Sequence, residues 1–363
     1  MTAAKPTIVV TGVSGNLGAR LLPLLGDFSV VGVDIGPPKG GASDLRFVRM
    51  DLGLEESTRT LHNLLVELRP IAVVHLAFVL DPVRAGVLDV DRMWQINVAG
   101  TARVMEAITE ANRNQDDGVR QFIFMSSVSS YGPDLPGPVT EEFALEAHTL
   151  PYAVHKKESD EVVQQRAPSL RGCSAYILRP HIFAGASMEN YMVGAFRGTP
   201  NGRSKRATRM RAEGRRLPCM LPYGQQYLDN KIQFVHVDDV ARLIAWILQR
   251  EPEARRLTVL NVAGRGEPLT FARCIEIAKA KLIRVPGQGA MRLVLEFLWK
   301  RGISAIPPEA VPYMTGQYIM NTDRLKKFLG EDYEKVIRHT VVDAFADSFS
   351  NSQVVSAESA VAR

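Results

Sequence analysis

Cysteine is scarce in this chain. Only Cys173, Cys219 and Cys274 occur in 363 residues, far apart and odd in number. That excludes a disulfide framework and any thiolate spacing suited to a metal, so no metal site is expected. A reducing cytoplasm is the expected compartment. Long apolar runs are missing too. No stretch approaches the roughly 18–20 residues of a membrane span, so no stable membrane insertion is expected. Residues 1–5 lead directly into Ile8-Val9-Val10 and leave no room for a secretory signal. No internal repeat is visible.

Uniform charge is also lacking. The net charge of +5 is concentrated in residues 194–216, which hold eight Lys/Arg against Glu213 alone, while the rest of the chain is slightly acidic. Phe196 is the sole aromatic of that stretch. A single-stranded nucleic-acid site would interleave stacking rings with its cations, so no nucleic-acid partner is expected. Gly and Pro punctuate the stretch, which reads as a basic loop, either solvated or closing over an anionic substrate.

What is present is alternation. Apolar runs at 7–11, 29–34, 47–51, 71–77, 121–126 and 173–179 read as strands buried on both faces. Helical patterns at 16–26, 55–68, 91–112 and 152–166 separate them. This implies an α/β fold, a Rossmann-type doubly wound parallel sheet. After residue 180 the pattern turns irregular. Strands are expected at 232–237 and 258–263, and helices at 239–250, 270–282, 291–301, 323–329 and 333–350. Residues 351–363 read as a disordered tail.

Thr11-Gly12-Val13-Ser14-Gly15-Asn16-Leu17-Gly18 lies between the first strand and a helix. Glycines there allow a tight turn and close approach of backbone to a pyrophosphate, which the helix N-terminus then attracts. Asp34 ends the second strand, 22 residues after Gly12. A carboxylate at that place accepts hydrogen bonds from ribose hydroxyls and repels a 2′-phosphate, which favours NAD over NADP.

The TGxxGxxG form, followed in order by Asp34, Asp51-Leu52, His75-Leu76-Ala77, Asn97-Val98-Ala99-Gly100-Thr101, Met125-Ser126-Ser127, Tyr152 with Lys156, Arg179-Pro180, His236-Val237-Asp238-Asp239 and Asn261-Val262-Ala263-Gly264, resembles the extended short-chain dehydrogenases, also called the NAD-dependent epimerase/dehydratase family. The resemblance runs from about residue 7 to residue 330. It implies NAD as cofactor, bordered by Gly12, Gly15, Asn16, Leu17, Gly18, Asp34, Asp51, Leu52, Leu76, Ala77, Asn97, Tyr152, Lys156 and Pro180. It also implies a homodimer joined through the helices at 91–112 and 152–166.

Tyr152 and Lys156 are four apart and share a helix face. A nearby ammonium is expected to lower the phenol pKa and fit Tyr152 to exchange a proton with a carbinol or ketone oxygen. Ser127, at the end of the fifth strand, can hydrogen-bond the same oxygen, with Ser126 as runner-up. His236 and Asp238 read as structural. The expected reaction is reversible hydride transfer at a secondary alcohol or ketone carbon. The alternatives are a non-catalytic dinucleotide-binding sensor or assembly subunit, and RNA binding through the basic loop.

The substrate is less legible. Relatives acting on nucleotide sugars carry an Arg where this chain has Ile232, and Lys231 supplies only a point charge. After Ser127 come Val128-Ser129-Ser130 in place of the Asp-Glu pair of a sugar 4,6-dehydratase. The segment from Val285-Pro286 through Trp299 resembles hydroxysteroid- and dihydroflavonol-type relatives, whose substrates are more apolar. Asn190 and His181 are candidate substrate contacts. The expected division is a Rossmann domain from 1–180 and 232–265, with a substrate domain from 181–231 and 266–350.

Overall fold

A computed structural model describes residues 5–39, 45–80, 89–113, 118–252 and 257–350. The expected tail at 351–363 lies outside the described residues. Six strands form from the first half of the chain: β1 (Thr7–Thr11), β2 (Ser29–Asp34), β3 (Arg46–Arg49), β4 (Ala72–His75), β5 (Gln121–Met125) and β6 (Ser174–Pro180). Every residue of β4, β5 and β6 is buried, which explains their continuous apolar character.

Further on come β7 (Ile182–Ala184), β8 (Cys219–Pro222), β9 (Lys231–Ile232), β10 (Phe234–His236), β11 (Leu257–Val262), β12 (Leu269–Thr270) and β13 (Leu282–Val285). The central sheet runs β3-β2-β1-β4-β5-β6-β11, with every neighbouring pair parallel. This is the Rossmann-type doubly wound arrangement. Strand order reverses between β1 and β4, which opens a crevice at their carboxyl ends. One apolar layer, with Leu61, Val104 and Phe122, packs on one face of the sheet. A second layer, with Leu17, Ile244 and Leu325, packs on the other.

Several expected elements differ in detail. The strand expected at 232–237 is two short ones. The side chain of Gln233 leaves the ladder to accept a hydrogen bond from Met320 N at 2.8 Å, and β9 and β10 pair with different partners. The helix expected at 270–282 ends at Ala278 (Phe271–Ala278), and Leu282 begins β13. The helix expected at 333–350 is interrupted between Val336 and Val341. The basic stretch is not all loop. Helix Tyr191–Arg197 ends within it, and Ser204 caps a helix over Lys205–Ala212 by accepting from Ala207 N.

Candidate functional site

The carboxyl ends of β1, β2, β4 and β5 converge, because Thr11 pairs with both Val33 and His75, and His75 pairs with Phe124. Gly12 begins the turn after β1 at φ +71°, a conformation that side-chain-bearing residues seldom adopt. A Cβ there would stand 2.4 Å from Ala77 N, so the turn can press against the Leu76-Ala77 segment only as glycine. Gly18 meets the same limit against Val13 O at 2.3 Å. Asp34 closes the turn: its carboxylate accepts from Ser14 N at 3.0 Å and Ile35 N at 2.7 Å while staying half-exposed at the rim.

Other expected cofactor residues are placed as follows. Asn16 lies exposed and bonds Arg20 and Ser187, while Leu17 is buried in the core. Asp51 is ion-paired with Arg92 and accepts from Gly53 N, and Leu52 is buried. Pro180 ends β6 beside Val262. His75 is buried between the hydroxyls of Thr11 (2.7 Å) and Thr101 (3.0 Å), and burial, with Lys156 nearby, pushes its pKa down to about 3. Asn97 sits in a π-helical turn, Gln95–Ala99, that interrupts the helix running to Arg113. Such turns recur at functional sites. Its amide grips the main chain of Val79 from both sides, accepting from Val79 N at 2.7 Å and donating to Val79 O at 3.1 Å.

Pro151 starts the helix Pro151–Arg166, which carries Tyr152 and Lys156 on one face. The Tyr152 phenol faces the hydroxyls of Ser127 and Ser129, both of which work to lower its pKa. Ser129 donates to the Ser127 hydroxyl at 3.0 Å through its own hydroxyl, and its N–H also reaches that oxygen at 3.2 Å. Ser126 turns away: its hydroxyl donates to Asp160 at 2.5 Å. Behind the site, the buried Arg179 guanidinium meets Asp160 in a bidentate pair at 2.8 and 2.9 Å and donates to Tyr131 and to Glu141 O. Asp160 lies one helical turn beyond Lys156, so this pair fixes the helix on which both catalytic candidates stand.

The expected lowering of the Tyr152 pKa by Lys156 is not found. Burial raises it, and the Ser127 and Ser129 hydrogen bonds only oppose that rise. Burial also pushes Lys156 well below the usual range for an amine, against the pull of Asp160. Beside both groups stands a residue that sequence reasoning missed. The Phe78 ring lies 3.4 Å from the Lys156 Nζ and meets the Tyr152 ring edge-on at 6.0 Å. Nζ donates to Met125 O at 2.5 Å on its other side. Phe78 follows Leu76-Ala77 directly, and its aromatic bulk there was the available signal. Ser129 was the second omission, visible in the serine run after β5.

The two candidate substrate contacts are held by main chain. His181 accepts from Ile182 N at 2.8 Å and faces Tyr318 O at 3.2 Å, and burial takes its pKa down to about 3. Asn190 caps the helix Tyr191–Arg197 by accepting from Val193 N, and donates to Phe183 O at 2.7 Å. Ile232, where nucleotide-sugar relatives carry Arg, is fully buried, and Lys231 beside it is exposed. His236 caps the helix Val237–Leu248 and stacks on His339 at 3.9 Å. Asp239 joins these two histidines, yet its carboxylate is already engaged by Arg242 and by two donors of His339.

The family model described as "NAD dependent epimerase/dehydratase family" matches residues 8–263. The chain belongs to this family. Among curated members, the UDP-glucose 4-epimerase of Erwinia amylovora is 32% identical over 130 residues, 36% of this chain and 36% of that protein. That of Azospirillum brasilense is 25% identical over 230 residues, 62% of this chain and 59% of that protein. The chain thus spans only about a third to three-fifths of the length of these relatives. The structure of UDP-glucose 4-epimerase from Thermus thermophilus, a complex with NAD, superposes with a TM-score of 0.65 at 18% identity. That match covers 95% of this chain and 99% of the other. At that identity the likeness is one of fold.

Proposed function

We propose that the protein binds NAD across the carboxyl edge of its central sheet and catalyses reversible hydride transfer at a secondary alcohol or ketone carbon of a small molecule. The observation that carries this reading is the convergence of Ser127, whose hydroxyl acts on the Tyr152 phenol, with Tyr152 and Lys156 on one helix face. The residues present fit the cofactor. The turn Gly12–Gly18 is tight enough for close backbone approach, and Asp34 stands half-exposed at its rim with acceptor capacity left for ribose hydroxyls. Lys156, Asn97 and Pro180 would border the nicotinamide end.

Bound NAD supplies the acceptor or donor of two electrons. Ser127 orients the substrate oxygen by hydrogen bonding, and Tyr152 takes the carbinol proton or returns it to the ketone. Lys156 stabilises the phenolate once its ammonium is turned toward the tyrosine. The Rossmann part would comprise 1–180 and 232–265, and the substrate part 181–231 and 266–350. A homodimer would use the helices at 90–113 and 151–166.

The names of the curated relatives favour a sugar nucleotide as substrate. A specific observation favours an apolar hydroxy or keto compound instead. Ile232 removes the expected cation, and the layer beside the site is rich in apolar side chains such as Cys219, Met220, Met291, Leu295 and Met314 around a small cavity of about 40 Å³. These five residues belong to, or pack against, the same cluster on which Tyr152 packs.

Two measurements test the proposal. Mass spectrometry of nucleotides released on denaturation, or titration of the emptied protein, is expected to find NAD(H), whereas NADP(H) would overturn the role of Asp34. Tyr152→Phe is expected to keep nucleotide affinity and lose turnover by about a thousandfold. Unchanged turnover in that variant would overturn the catalytic reading.

A further inference from the structure

The helix Gly287–Lys300 is apolar on both sides. Its inner side buries Met291 and Leu295 and lines the cavity with Leu298. Its outer side leaves Leu293 69% exposed, Val294 38% and Phe297 52%. Positions 293, 294 and 297 form one stripe at helical spacing. Arg292, Glu296 and Lys300 occupy the remaining sector, and the outer apolar stripe beside them has no partner among the described residues.

The neighbourhood of the stripe is mostly cationic, with Glu296 ion-paired to Lys300 at 2.6 Å. Ser204 N donates to Gly302 O at 2.9 Å and Gly202 N to Ile303 O at 3.0 Å, which joins the basic segment to the end of this helix. Lys205 and Arg206 therefore begin their helix beside Lys300 and Arg301. Both are exposed, and that first turn holds no acid. Cations at a helix N-terminus oppose its dipole and call for an anion. Arg301 covers the Phe297 ring at 5.0 Å, so charge and apolar surface adjoin.

We propose that this face docks the protein peripherally on an anionic lipid surface. Leu293, Val294 and Phe297 enter the boundary between headgroups and acyl chains, and Lys205, Arg206 and Arg301 meet lipid phosphates. Charge decides the occupant. A second copy joined through the same face would bring these cations against their own counterparts. Nucleic acid would leave Leu293 and Val294 uncovered. No described helix is long and apolar enough to cross a membrane, so the contact is superficial. Neither segment contains Ser127, Tyr152 or Lys156, so the catalytic reading stands or falls separately.

The test is co-sedimentation of the full chain with phosphatidylcholine vesicles, with and without phosphatidylglycerol, alongside sedimentation velocity. Binding is expected only with the anionic lipid and is expected to weaken as salt rises. The double variant Leu293→Ser/Phe297→Ser is expected to lower partitioning on the order of tenfold. Lys205→Glu/Arg206→Glu is expected to lower it by at least about tenfold. Thermal melting of both variants checks that they fold. Equal binding to neutral vesicles, undiminished binding of the serine variant, or a serine variant that merely dissociates a homodimer would each overturn the proposal.

Discussion

The carboxyl edge of the central sheet and the layer built from residues after β6 treat polar groups differently. At the edge, polar side chains are buried and answer one another. Arg179, Asp160, Tyr131 and Asn261 form one connected network, and His75 bridges two threonines. In the later layer most cations stay at the surface, although Arg197 is part-buried against main-chain carbonyls, and apolar side chains face both the core and solvent. The edge is a place where few substitutions are tolerated, because its buried donors and acceptors depend on one another. The later layer holds fewer such networks, and it is where a substrate or a surface would be read.

The sharpest way to break this contrast is Arg179→Met. It leaves the Asp160 carboxylate buried without its cation and is expected to cost about 3–5 kcal/mol of stability, measured by urea unfolding. A loss near zero would mean that the buried network does not brace the edge.

Acid offers the next largest effect. His75 and His181 both have pKa values held down to about 3 by burial, against about 6.5 in the unfolded chain. As pH falls, the unfolded chain binds these protons first. Their contribution is therefore complete above about pH 6.5 and is lost progressively as pH falls toward 3. Urea midpoints at pH 7 and pH 5 are expected to show the decline, and His75→Gln is expected to lessen its slope.

Phe78→Ala refines the comparison within the edge. Without the ring over its ammonium, Lys156 is freed toward the crevice. NAD affinity measured calorimetrically is expected to rise by about fivefold, the scale of one cation–π contact. The smallest effect belongs to the later layer. Asn190→Ala removes a helix cap and is expected to cost about 1 kcal/mol in thermal stability with no change in nucleotide affinity.

The sheet was legible because strands buried on both faces leave continuous apolar runs, and the glycine turn was legible because close backbone approach restricts residue type at Gly12 and Gly18. The proximity of Ser127 to Tyr152 and Lys156 was legible through spacing and motif order. Phe78 was not, because a ring at a strand end is usually core, and only the fold brings it over Lys156. The helix Lys205–Ala212 was hidden by Gly and Pro on both sides, although Ser204 was in place as its cap. The burial that raises the Tyr152 pKa depends on packing from distant segments, which local spacing does not report. The split of the strand at Gln233 likewise depends on a side chain choosing Met320 as partner.

The π-helical turn at Gln95–Ala99 has a consequence in terms of phase. One residue beyond the ordinary turn offsets the stretches on either side by about 100°. Val90 and Trp94 can therefore face outward while Val104, Met105 and Ile108, further along the same rod, face the sheet. Restoring an ordinary turn by deleting one residue would rotate one half against the other, and either the apolar seam or the grip of Asn97 on Val79 would be lost. The rod behaves as two helices keyed at a fixed angle, with Asn97 as the key.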